Sequence, residues 1–263
     1  MRGLTTAFLG GLLCVVFMAF NAGAEEERPT ASATMGVFSK YIWRGYELSD
    51  DSLVIQPSIT VGYKGFSVNL WGNLDTDWDD RVPATSDKTE WTETDMTLEY
   101  GREFGPVRLA AGYIYYALDG IDDSQEVYLS GSWNVLLTPT LTIYREVSHL
   151  PGWYFKFALG HSFDLGKGIS LDLAGSVGYY YSDDEAFVEV DDSLNPTTEK
   201  YRALHDGNLS VGLKIPLAKY LVLNPTVAYS FPLSNKADNL LTSTSFSGDS
   251  DFLYGGINLT LTF

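Results

Sequence analysis

The residues of this chain that could do chemistry are charged side chains set on the polar parity of otherwise apolar, alternating segments. Lys40, Arg44, Arg108, Lys156 and Lys214 hold such positions, as do Glu93, Asp95, Glu99, Glu126, Glu146 and Asp172. If the apolar parity of those segments meets hydrocarbon, the charged parity faces an interior, where ionisable groups must be paired or wetted. Two chemistries fit that arrangement. Acidic and basic ladders can cross a narrow pore and orient a small polar solute, or ion pairs can plug a closed interior. A second set is acidic and falls between segments: Asp75, Asp77, Asp79 and Asp80; Asp119, Asp122 and Asp123; Asp183, Asp184, Glu185, Glu189, Asp191 and Asp192. Carboxylates two apart resemble ligands of hard cations, but the 75–80 run lacks the glycine and closing glutamate of an EF-hand loop. The expectation is a solvated acidic mouth, with no metal and no cofactor, that enriches cations and repels anions.

Hydrolytic chemistry has little to work with. The chain has three histidines, His149, His161 and His205, and none is followed two residues later by a serine. His149 follows Ser148 and His161 precedes Ser162, so each adjacent pair points to opposite faces of a strand. His205 and Asp206 resemble a loop dyad, but one adjacent pair assembles no nucleophile with its base. No enzymatic activity is expected, and His161 is expected on the lipid side near one interface.

The elements that must position these groups are strands. Period-two alternation marks twelve segments: 34–45, 53–63, 66–75, 91–101, 107–118, 124–133, 140–148, 152–163, 169–181, 207–216, 220–231 and 252–263. Leu209, Val211, Leu213 and Ile215, for example, oppose Ser210, Gly212 and Lys214. Short connections (64–65, 102–106, 134–139, 164–168 and 217–219) alternate with mostly longer ones (46–52, 76–90, 119–123, 149–151, 181–206 and 232–251). That alternation is the signature of a bacterial outer-membrane barrel. Aromatics gather at both ends. Tyr63, Phe66, Tyr100, Phe104, Trp133, Phe163, Tyr220 and Phe263 lie at the short-turn end. Tyr41, Trp43, Tyr113, Tyr115, Trp153, Tyr179, Tyr229 and Phe231 lie at the long-loop end. Rings prefer the membrane–water boundary, so two girdles are expected. A soluble β-sandwich also alternates, but it buries its apolar face once and needs no pair of girdles.

The two ends of the chain agree with this reading. Arg2, the apolar run from Phe8 to Phe20, and Ala22, Gly23 and Ala24 make a secretory signal peptide over 1–24. The run is short of the roughly 20 residues a spanning helix needs. Cleavage near Ala24 removes Cys14, the single cysteine, so disulfides and thiolate metal sites are excluded. Residues 25–33 read as a periplasmic tail. The last residues, Ile257, Leu259, Leu261 and Phe263 against Asn258, Thr260 and Thr262, form a bare alternating strand ending on an aromatic, which resembles the assembly signal of such barrels. A formal charge of −17 argues against nucleic acid as a partner and against adsorption to anionic headgroups.

Ser39, Lys40, Tyr41, Ile42, Trp43, Arg44 and Gly45, followed by Leu48, Ser49 and Asp50 and a return strand, resemble the amino-terminal hairpin of the TorF-type porin family. The resemblance covers about residues 34–75. It implies an outer-membrane location and a channel role, with Arg44 and Gly45 as motif residues to which no mechanism attaches. The combined expectation is an all-β protein: a transmembrane antiparallel up-and-down β-barrel of about twelve strands over residues 34–263. Its expected function is porin-like passive diffusion of small polar solutes with a cation preference. The alternative is a non-transporting structural or adhesive barrel with acidic surface loops. Expected partners are outer-membrane lipid and lipopolysaccharide, the barrel-assembly machinery acting on the strand that ends at Phe263, and small polar solutes or cations.

Overall fold

The structure, a computed structural model, describes residues 28–77 and 89–263. The signal segment, Asp79 and Asp80 lie outside the described residues. In chain order the elements begin with β1 (Thr30–Phe38), β2 (Ile42–Trp43), β3 (Tyr46–Glu47), β4 (Val54–Tyr63), β5 (Phe66–Asp75) and β6 (Glu90–Phe104). They continue with β7 (Val107–Leu118), β8 (Ser124–Trp133), β9 (Thr140–Glu146), β10 (Gly152–Gly166) and β11 (Ile169–Ser182). The last are β12 (Val188–Val190), β13 (Pro196–Lys200), β14 (Arg202–Ala218), β15 (Leu221–Pro232), α1 (Asn235–Thr244) and β16 (Phe252–Thr262).

Twelve of these strands form one closed antiparallel barrel in which each strand pairs with its neighbours in sequence, and β1 pairs with β16 to shut it. The closing register runs from Ser32 opposite Thr262 to Phe38 opposite Gly256. The four short strands stay out of the wall as two separate hairpins, β2–β3 and β12–β13. Inside the barrel wall, side chains alternate as the sequence does. Leu98, Leu129, Leu209, Val227 and Ile257 are exposed on the outside, although they are large and apolar. A continuous apolar exterior on a closed sheet is stable against hydrocarbon, because closure leaves no backbone edge unsatisfied there.

All eight aromatics expected at the short-turn end are exposed on that rim, from Tyr100 at 41% to Phe263 at 73%. At the long-loop end Trp153, Tyr179 and Tyr229 are exposed, but Tyr41 and Trp43 are buried at 1% and 6%. These two do not belong to a girdle. The reason is the first strand, expected over 34–45: it ends at Phe38, and the chain then turns inward to bury Tyr41, Ile42, Trp43, Tyr46 and Glu47. Its start also differs, because Thr30–Phe38 are already in the wall and the expected tail over 25–33 is shorter. Two of the long connections carry structure of their own. The 181–206 connection holds β12–β13 and the beginning of β14, and the 232–251 connection holds α1. The helix starts where the Ser234 hydroxyl accepts the Ala237 N–H at 3.2 Å, and it buries Ala237, Leu240 and Leu241.

A charge placed on the outer face should oppose insertion. Leu129 is 64% exposed near the middle of β8, so Leu129→Arg should lose about 2–4 kcal/mol of folding stability in lipid vesicles. Urea titration of refolding into vesicles checks this. A cost no larger than that of Ser130→Arg, on the opposite face, would place hydrocarbon elsewhere.

Candidate functional site: an arginine-tipped plug in the lumen

Residues 39–53 fold as a small hairpin inside the outer half of the barrel. Ile42 faces Glu47 and Trp43 faces Tyr46 across β2 and β3. The turn between them is made by Arg44 and Gly45 with φ of 46° and 85°, both in the left-handed region that two-residue hairpin turns require. Gly45 meets a second demand. A Cβ there would lie 2.9 Å from Leu241 and 3.2 Å from Asp206, so a larger residue would have to push the Leu241 side chain of α1 aside. A continuous wall strand cannot contain this turn, which is why the chain leaves the wall.

The hairpin touches opposite sides of the barrel. Tyr41 packs against Trp71 of β5 at 5.5 Å between ring centroids and donates its hydroxyl to Glu93 of β6 at 3.0 Å. The Tyr46 ring sits 5.1 Å from the His205 ring on β14. The tip reaches β8. Arg44 donates Nη1 and Nη2 to the two carboxylate oxygens of Glu126 at 2.8 and 2.7 Å. Trp43 and Tyr154 lie 4.2 Å from the guanidinium carbon and Tyr144 lies 4.6 Å from it. Glu126 accepts a further hydrogen bond from the Tyr116 hydroxyl at 2.8 Å. The side chains of Arg44 and Glu126 are only 7% and 4% exposed. A buried ion pair persists only when its geometry and remaining hydrogen bonds are this complete, and the planar guanidinium matches both the carboxylate fork and the ring faces.

Further contacts hold the hairpin from outside. Lys40 bonds Glu47 at 2.9 Å and Asp51 at 2.8 Å. Burial alone would lower the Lys40 pKa, but these two carboxylates outweigh it and raise it. Glu47 also accepts the Ser247 N–H and hydroxyl at 2.9 and 2.8 Å, which ties the hairpin to the segment after α1.

The wall facing the tip is built of tyrosines. Tyr116, Tyr128, Tyr144, Tyr154 and Tyr180 come from the five consecutive strands β7 to β11. Neighbouring rings among the last four lie 5.6 to 6.0 Å apart. Tyr128 lies flat because Gly112 is opposite, where a Cβ would come within 2.3 Å of the ring.

The structure gathers some of the expected lumen charges and separates others. Arg44 and Glu126 meet as described, with Glu93 and Asp95 buried beside the plug. Lys40 and Arg44 belong to the inserted segment and not to a wall strand. Glu146 secures the next connection, accepting the N–H groups of Ser148 and Leu150 at 2.9 Å. Deeper in, Glu99 accepts from Arg108 at 2.6 Å and from Tyr128 at 2.7 Å. Asp172 accepts from Ser162 at 2.5 Å and Ser170 at 3.1 Å. Lys156 and Lys214 lie on the same inward parity, opposite Thr142 and Ser170 respectively. In this inner half the wall is made of small polar side chains, and Arg108, Ser162 and Lys214 are exposed within it.

The acidic mouth needs correction. Asp75 is fully buried and accepts the Asp77 N–H at 3.0 Å, so it is a turn carboxylate rather than part of a solvated face. Asp77, Asp191 and Asp192 are exposed, whereas Asp183 is ion-paired with Arg145 and Asp184 accepts the Ala186 N–H at 2.6 Å. The N–H groups of Asn195 and Ser193 hold the Asp191 carboxyl below its ordinary pKa.

His205 and Asp206 are not in a loop. A register irregularity between β11 and β14 turns both inward, where His205 Nδ1 pairs with the Tyr201 hydroxyl and Asp206 accepts from Tyr154, each at 2.7 Å. His161 stands beside Phe163 on β10, ring centroids 4.5 Å apart. Reading the sequence by its charges missed the tyrosine wall. Its signal was present, as an aromatic on the lumen parity near the loop end of successive strands.

A closed up-and-down barrel with an apolar exterior and a polar lumen defines the class: a transmembrane β-barrel of porin-like architecture. No protein family and no curated protein matches the chain's sequence. Among solved structures the chain is similar to the NanC porin, with a TM-score of 0.52, 8% identity, and coverage of 89% of this chain and 98% of that one. It is also similar to an outer membrane channel from Pseudomonas putida F1, with a TM-score of 0.45, 10% identity, and coverage of 89% and 94%. The first of these shows a shared fold.

The pair at the tip should behave as a unit. Arg44→Ala leaves Glu126 buried and uncompensated, as Glu126→Ala does Arg44, and each should cost about 3–5 kcal/mol. The double variant should lose clearly less than the sum. A double-mutant cycle by urea unfolding measures the coupling, and additive losses would show that the two do not interact.

Proposed function

We propose that this protein is a porin-like channel of the Gram-negative outer membrane for passive diffusion of small polar solutes, gated or constricted by the hairpin plug. The observation that carries the reading is the division of the lumen. Its inner half is lined by small polar and charged side chains that reach water, including Arg108, Ser162 and Lys214. Its outer half is filled by a segment whose two strands pair only with each other. A purely structural barrel has no need of a wetted interior. Twelve strands also lie between barrels filled by side chains and those with wide aqueous pores.

The finer parts of the reading belong with it. Membership in the TorF-type family is supported by the residues 39–50. Cleavage near Ala24, contact with lipopolysaccharide and recognition of the strand ending at Phe263 by the assembly machinery follow from that location. A cation preference is supported by the exposed carboxylates of Asp77, Asp191 and Asp192. The non-transporting, adhesive reading has its own support in the completeness of the plug and the structured outer connections.

Replacing residues 40–51 with a short glycine–serine linker should convert small or absent single-channel currents in planar bilayers into large, steady ones. A folded but silent deletion variant would favour the non-transporting reading. Under a salt gradient, Asp77→Asn, Asp79→Asn and Asp80→Asn together should move the reversal potential toward zero. An unmoved potential would remove this cluster from ion selection.

A further inference from the structure

We propose that the lumen wall around Arg44 is a binding subsite for a guanidinium-bearing solute, and that Arg44 fills it as a tethered occupant in the closed state. The inference rests on the channel reading only for the route by which the solute arrives.

Every element of the subsite except Arg44 and Trp43 belongs to the barrel. Glu126 comes from β8, Tyr116 from β7, Tyr144 from β9 and Tyr154 from β10, all fixed by the pairing of adjacent strands. If the hairpin withdraws, the Glu126 carboxylate loses its guanidinium partner and keeps the Tyr116 hydroxyl already bonded to one oxygen, with the Tyr144 and Tyr154 rings left beside the vacated position. That constellation demands a cation. The demand is for a planar one: the two parallel bonds of 2.8 and 2.7 Å use both carboxylate oxygens. The Tyr154 and Tyr144 rings, 4.2 and 4.6 Å from the guanidinium carbon and 6.0 Å from each other, line one side of the cation. An ammonium could offer one charge but not the fork.

Two observations indicate that the present occupant is exchangeable. The two strands of the hairpin pair only with each other, and backbone bonds tie the segment to the rest of the chain at its ends, from Ser39 to Gly255 and from Thr76 to Leu53. The tip also leaves a cavity of about 20 Å³ lined by Trp43, Ser124, Glu126 and Glu146, room for about one water beside the carboxylate. Close by, the Glu93 and Asp95 carboxyls are 4% and 6% exposed and hydrogen-bond each other. A ligand that competes with Arg44 for the cage favours the withdrawn hairpin by its differential affinity alone.

The test is direct binding, measured by titration calorimetry on refolded protein in lipid nanodiscs with n-butylguanidinium as the probe. Arg44→Ala should bind it saturably at one site, and wild type at least about tenfold more weakly, because the tethered arginine competes. The added change Glu126→Gln should abolish binding. n-Butylammonium should bind more weakly than the guanidinium, and neutral n-butylurea not at all. Equal affinity in wild type and Arg44→Ala, or no saturable binding to a folded Arg44→Ala, overturns the proposal. Should Arg44→Ala fail to fold, Arg44→Lys keeps a charge at the tip without the fork. It should bind the probe more tightly than wild type, and a folded Arg44→Lys that does not overturns the proposal equally. Currents recorded from the variant with residues 40–51 replaced by a linker separate the two readings. Binding to Arg44→Ala with a silent linker variant sinks the channel and leaves the subsite, whereas current through the linker variant with no saturable binding to Arg44→Ala does the reverse.

Discussion

Closure of the sheet is the constraint on which the rest of this structure depends. In hydrocarbon no water is present to satisfy a backbone N–H or C=O, so a strand wall must have no edge. Here the wall is shut by β1 against β16, and the register from Ser32 opposite Thr262 to Phe38 opposite Gly256 sets which residues face in. With side chains alternating at period two, one shifted residue would turn a whole strand's apolar set from lipid into the lumen. Closure therefore decides the exterior and the interior together. The apolar belt and the polar lumen are two faces of one register.

What fills that lumen follows from the cost of isolating charge. A guanidinium and a carboxylate out of water each lose several kcal/mol of solvation, recovered only when every lone pair and proton is placed. The Arg44–Glu126 pair is compensated by two parallel bonds, the Tyr116 hydroxyl and contact with three rings. In the inner half the same kind of charges, Glu99 with Arg108 and Asp172 with its serines, lie in a wetter space and need no such enclosure. One barrel thus holds two electrostatic regimes along its axis. The boundary between them is the depth to which the hairpin reaches.

Glycine is the means by which bulky rings fit inside a wall of fixed radius. Gly112 lets Tyr128 lie flat, and Gly45 lets the hairpin tip pass beneath Leu241 and beside Asp206. The tip is held by contacts from four separate parts of the chain: the wall, the 39–53 segment itself, α1 and the residues after it. Its side chains carry the pairing while the wall carries the stability. This arrangement is compatible with movement of the plug without loss of the barrel.

Much of the fold was legible in the residues taken one segment at a time. Strands whose two faces meet unlike media must alternate, so eleven of the wall strands could be laid out from periodicity alone. The girdle at the short-turn end was equally plain, because Tyr63, Phe66 and Phe263 sit at strand ends where nothing else competes for them. The expectation failed over 39–45 for a physical reason. Tyr41, Trp43 and Arg44 have the alternation of a wall strand, and local pattern cannot tell a ring that meets the membrane boundary from one that meets another ring inside. Only the closed barrel decides that, by creating an enclosed space large enough to take a hairpin. It also decides the partners. Glu126 is 82 residues from Arg44 in sequence, and nothing short-range links them. By itself the sequence determined that the chain makes strands with one apolar and one polar face. The tertiary structure decided which charges meet, because distances across a lumen are set by strand number and register, which no single segment contains.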